Sequence, residues 1–83
     1  MANETFELHF DGGHEWLRVP KSIALGFTPT AYSYHDETYW YLEGDCDGSE
    51  FAQVYEGEHG CKLQWIGVDD GYDSFIRDLP HVG

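Results

Sequence analysis

The chain has 83 residues and a formal net charge of -12 at pH 7, from 16 Asp and Glu against 4 Lys and Arg. A charge of this sign is repelled by phosphate, which argues against DNA, RNA and anionic membranes as direct ligands and permits basic partners, including proteins that themselves bind nucleic acid. The length allows one core, burying ~60–65% of the unfolded surface, and an aromatic content of 17% makes up for scarce aliphatic side chains. Residues 1–83 therefore read as a single small acidic domain.

Thr5 to Phe10 alternates Phe6, Leu8 and Phe10 with Thr5, Glu7 and His9, the period of a half-buried strand. Asp11-Gly12-Gly13 breaks it with hairpin chemistry, and His14 to Val19 is expected to return antiparallel with Trp16 and Leu17 packed inward. Pro20 suits a first helical position, so Lys21 to Leu25 is expected as a short helix closed by Gly26. Phe27 to Ala31 is a connector. A second hairpin follows, Tyr32 to His35 returning through Asp36-Glu37 into the aromatic run Thr38 to Leu42. Phe51, Val54 and Tyr55 share the spacing of one buried helix face, with Gly57 or Gly60 as its end. Cys61 to Val68 alternates again as a last strand, and Phe75, Ile76 and Leu79 add a turn or edge segment before Pro80. The expected fold is α+β: an antiparallel sheet of four to five strands with one or two short helices packed on one face.

Several motifs invite chemistry. Asp45, Asp47, Ser49 and Glu56 occupy positions 1, 3, 5 and 12 of a calcium loop. Position 6, however, is Glu50 where that loop needs glycine, and helix capping by Asp47 or Ser49 accounts for the same residues. A small metal-binding or regulatory module using residues 45–56 is thus the alternative reading. His14-Glu15 begins like a zinc-protease helix, but Arg18 stands where the second histidine belongs. His59, Cys61 and Cys46 offer soft ligands without a Cys-x-x-Cys pair. A thiol nucleophile at Cys46 or Cys61 would sit in an anionic setting that raises its pKa. No enzyme, metal or cofactor is expected. The N-terminus carries no basic region followed by an apolar run, so a cytoplasmic location with reduced thiols is the expectation.

The carboxylates supply the functional reading. Wherever the backbone stays extended, Glu43, Asp45 and Asp47 fall on one side at ~6.6 Å intervals, close to the roughly 6–7 Å between phosphates along a DNA strand. A row of this kind can occupy a basic nucleic-acid channel in place of the polynucleotide. Glu43, Asp45, Asp47 and Glu50 are the first expected contacts. Asp36, Glu37, Asp69, Asp70 and Asp73 stand behind them, and Tyr39, with Tyr34 or Tyr72, is an expected aromatic anchor.

Through Asp11-Gly-Gly-His-Glu-Trp-Leu-Arg-Val-Pro, Tyr41-Leu-Glu-Gly-Asp-Cys-Asp and Asp73-Ser-Phe-Ile-Arg-Asp-Leu-Pro, the chain resembles small acidic proteins carried by phages and plasmids. In size and charge it also resembles anti-CRISPR proteins that imitate DNA. That likeness implies a non-enzymatic inhibitor in the bacterial host cytoplasm, monomeric or homodimeric, that keeps target DNA out of a CRISPR effector complex.

Overall fold

The computed structural model describes residues 5–23 and 26–82. Five strands, β1 (Thr5–Phe10), β2 (Glu15–Pro20), β3 (Tyr34–His35), β4 (Tyr39–Glu43) and β5 (Gln64–Asp69), form one sheet in the order β3-β4-β2-β1-β5. The β1–β2 and β3–β4 pairs are the two expected hairpins, and β2 also pairs antiparallel with β4. The fold class is α+β, with one difference: β5 runs parallel to β1. The helix between β4 and β5 returns the chain to the starting end of the sheet, so the last strand must run in the direction of the first.

That helix, α1 (Ser49–His59), is entered through a wide π-helical turn at Gly44–Gly48. The turn brings backbone close to backbone: a Cβ on Gly48 would lie 3.3 Å from the carbonyl oxygens of both Leu42 and Glu43. Glycine is the residue that tolerates this approach. The helix ends at Gly60, in the left-handed region at φ 67°, with its N–H donating to the Glu56 carbonyl. Phe51 and Tyr55 form the buried face as expected, whereas Val54 is exposed.

Both sheet faces are covered. On one, Phe6, Leu17, Val19 and Leu42 pack against Phe51 and Tyr55, with Phe6 meeting both rings edge-on at centroid distances of 5.9 and 5.3 Å. On the other, Trp16 and Tyr41 pack against Ile76, which belongs to a 3₁₀ turn at Phe75–Asp78. Helical cover was expected on one face only; the C-terminal segment supplies the second cover because β2 and β4 present bulky side chains on both sides. The expected helix from Lys21 is a 3₁₀ turn at Lys21–Ile23, with Pro20 the last residue of β2 rather than the first of a helix. Its remaining residues, 24 and 25, lie outside the described residues.

Asp11 ties the C-terminal cover to the first hairpin. Its Oδ1 accepts from the N–H groups of Gly13 and His14, and its Oδ2 from Ser74 N–H and Arg77 Nε at 2.9 and 2.6 Å. The Arg77 guanidinium, which also donates through a terminal nitrogen at 3.0 Å, is the main reason the Asp11 carboxyl is held well below the usual carboxylate range. The stabilisation is fully present above 3.8, the ordinary value, and is lost as pH falls toward the lower folded value. Asp11→Asn should therefore lower the melting temperature at pH 7, and the gap from the parent should close as the pH is taken below 3.8 in a thermal melt series. A gap independent of pH would show that the ion pair is not what the carboxylate contributes.

Candidate partner-binding surface

The strand register gathers acidic side chains at one end of the sheet. Glu43 ends β4 and pairs with Trp16 of β2; Glu15 pairs with Phe10 at the end of β1; Phe10 pairs in turn with Asp69 at the end of β5. Adjacent strands are about 4.8 Å apart, so Glu43, Glu15 and Asp69 form a rim across four strands. Asp45 and Glu50 extend it through the π turn and the first turn of α1. On the far side, Asp73 and the 91% exposed ring of Tyr72 follow β5. Two open clefts run along this rim, sharing Phe10 and Asp11. One of about 280 Å³ is lined by Glu15, Glu43, Asp45 and His14, and one of about 370 Å³ by Asp69, Gly71 and Tyr72.

Cations do little to offset the rim. Arg77 stands there, but Asp11 engages it. Arg18 pairs with Glu7 at 3.2 Å and lies over Tyr39 at 4.2 Å. Lys21 sits over Trp40 beside His35 near the opposite end of the sheet.

The ten residues expected to meet a partner do not share one surface. Glu43, Asp45, Glu50, Asp69 and Asp73 belong to the rim. Asp70 is beside it but half-buried, its carboxylate held by His9 Nδ1 at 3.0 Å and by the Ser74 hydroxyl at 2.7 Å. Asp36 and Glu37 lie at the other end of β4, where Asp36 caps its own turn. Partial burial works against its ionisation, but donations from Tyr39 N–H, Thr38 N–H and the Tyr41 hydroxyl outweigh this and set its carboxyl below the ordinary value. Tyr41 responds in the opposite sense, pushed up to about 12 by burial and by Asp36. Tyr39 is half-buried beneath Arg18, and Tyr34 stacks on His81 at 4.2 Å; of the three candidate anchors, Tyr72 is the exposed one.

Asp47 is the clearest correction. It is fully buried, and its Oδ2 accepts from Thr30 N–H, the Thr30 hydroxyl and the Ser33 hydroxyl at 2.7, 2.9 and 2.5 Å. The π turn rotates it inward, so the extended row Glu43, Asp45, Asp47 does not form. Glu15, which the sequence reading weighed only within the failed His14-Glu15 zinc motif, takes its place; the signal for it was the hairpin register itself. The calcium loop over 45–56 is likewise not formed. The segment is helical, so positions 45 and 56 are separated by about 16 Å of helix axis, and Glu56 accepts from Leu63 N–H instead. Among the described residues no group of three His, Cys, Asp or Glu side chains converges as a metal site.

A second polar cluster lies on the face covered by the C-terminal segment. His9, 6% exposed, has Nε2 2.9 Å from Glu7 and Nδ1 3.0 Å from Asp70. Ser74 shares Asp70 with His9, but its hydroxyl is buried and directed at the carboxylate, not at the imidazole. That arrangement holds the C-terminal turn and does not activate a nucleophile. The apolar cavity under the start of α1, lined by Leu8, Leu17, Ala52, Leu63 and Trp65, measures about 170 Å³, below the ~300 Å³ at which small-molecule sites begin. No helix among the described residues is long and apolar enough to cross a membrane. No family model, curated protein or solved structure matches this chain.

Proposed function

We propose that this protein is a non-enzymatic inhibitor that presents the rim Glu15, Glu43, Asp45, Glu50, Asp69 and Asp73 to a basic nucleic-acid-binding surface, in place of nucleic acid. The observation that carries the reading is the strand register, which sets Glu43, Glu15 and Asp69, from separate parts of the sequence, at three of four adjacent strand ends, one and two strand spacings apart. Among the described residues the Arg side chain near them, Arg77, is engaged by Asp11. Exposed Tyr72 and Phe10 supply contact area between the charges, as interface anchors do. The resemblance to DNA-imitating anti-CRISPR proteins names the partner to try first, the DNA channel of a bacterial CRISPR effector complex.

The test is displacement of labelled target DNA from purified effector complexes of several types by increasing amounts of this protein. Competition that weakens steeply with salt is expected, because the contact is made of screened ion pairs. Full DNA occupancy at every concentration and salt would remove the effector assignment, and the same titration against other basic DNA-binding proteins would decide whether the rim has such a partner at all.

A further inference from the structure

The two edges of the sheet are built differently. The β3 edge is two residues long, and a bridge from Tyr34 to His81 covers it. The β5 edge is six residues long and is guarded by a charge at its end, Asp69; Gln64-Trp-Ile-Gly-Val-Asp has no lysine, no proline and a regular pairing with β1 along its whole length. It is also apolar on both sides. Trp65 is 55% and Ile66 54% exposed, Trp65 on the α1 side in register with Phe6 and Ile66 on the other in register with Glu7.

We infer that β5 pairs antiparallel with β5 of a second copy, joining two five-stranded sheets into one of ten strands. Charge and shape select the occupant and the register. Over most of this surface a second copy would set carboxylate against carboxylate, but β5 is uncharged from Gln64 to Val68, with Lys62 before it and Asp69 and Asp70 after it. Antiparallel pairing about a two-fold axis brings the positive end of one strand to the negative end of the other. In such a pair, facing residues lie on the same side of the sheet, so a residue faces one of its own parity. Centring on Ile66 sets Ile66 against itself, Lys62 opposite Asp70, and Trp65 over Gly67 of the second copy. Gly67 puts no side chain on the α1 side, and the ring of Phe10 lies there, 3.3 Å from where a Cβ would stand. The incoming indole would pack on that ring, which is 38% exposed. Shifting the centre to Gly67 would place Trp65 against Asp69, and shifting it to Trp65 would place Lys62 against Val68.

Sedimentation equilibrium of the full chain tests this independently of the acidic rim. At sub-millimolar concentration a species of twice the 9.5 kDa chain mass is expected, and Ile66→Glu, which puts two carboxylates on the axis, should raise the dissociation constant about 100-fold. Raising salt from about 0.05 M to about 0.5 M should strengthen the dimer by screening the repulsion between two acidic bodies, the reverse of its effect on a basic partner. Should Ile66→Glu fail to fold, amide exchange on the parent protein takes its place, with outward-facing β5 amides protected only at high concentration. A monomer at every concentration and salt, a dimer that survives Ile66→Glu, or β5 protection that ignores concentration would each overturn the inference.

Discussion

Replacing Asp47 with alanine is expected to cost the fold about 3 kcal/mol, which in a domain of this size lowers the melting temperature by about 12–24 °C. The substitution strips the acceptor from three donors at once: Thr30 N–H, the Thr30 hydroxyl and the Ser33 hydroxyl. Asp47 and Ser33 are fully buried and Thr30 is exposed, so water can reach the Thr30 donors but not the Ser33 hydroxyl. Ser33 also accepts from Glu43 N–H at 3.0 Å, so the loss reaches the end of β4 and the entry to the π turn. Asp47→Asn separates charge from shape. Oδ2 accepts all three bonds while Oδ1 is buried with no partner; a carboxamide can turn its oxygen to the donors and leave its nitrogen where Oδ1 was. Its cost should therefore be smaller, about 1 kcal/mol, the difference between charged and neutral hydrogen bonds. Thermal melts of both variants decide the matter. An alanine variant as stable as its parent would mean that the connector 30–33 is held by something other than Asp47, and Ser33→Ala should add little once Asp47 is gone.

The largest functional effect is expected from neutralising the rim. Glu15→Gln, Glu43→Gln, Asp45→Asn and Asp69→Asn together remove four charges yet preserve the local hydrogen bonds, since a carboxamide oxygen can still accept from Asp45 N–H at residue 43 and from Gly71 N–H at residue 69. At somewhat under 1 kcal/mol per exposed ion pair, the combined loss should weaken DNA displacement about 100-fold and flatten its salt dependence. Glu37→Gln with Glu58→Gln, two exposed acids at the other end of the molecule, should leave displacement unchanged. Equal losses from both sets would mean that net charge matters and position does not, and the rim assignment would fall.

Local rules carried the sequence reading as far as local causes extend. The alternation in β1, the Asp11-Gly-Gly break and the left-handed glycine at position 60 each act within a few residues, and the hairpins and the end of α1 were legible from them. Alternation in 61–68 announces a strand but says nothing of its neighbour, so the parallel pairing with β1 was hidden. His9 was read as the solvent side of a half-buried strand because Asp70 and the cover at Phe75–Asp78 lie more than sixty positions away. Asp47 was misread for the same reason: an acid in a Gly-rich stretch resembles a solvated turn until Thr30 and Ser33 are brought to it. The rim was half legible, through its turns, while Glu15 joined it only through cross-strand register.

The parallel pairing of β1 with β5 bears on how the chain comes to be folded. β1 is synthesised about sixty residues before its outer neighbour, and contacts of such long sequence separation are slow to form. The hairpin of β1 and β2, with β4 added, can assemble early, but in that interval β1 is itself an unsatisfied border with Phe6 and Leu8 lacking their final cover. Refolding should accordingly be slow for a chain of this length, and β1 stays open to intruding chains until β5 docks. The yield of native protein should then fall as refolding concentration rises, even where the finished fold is stable.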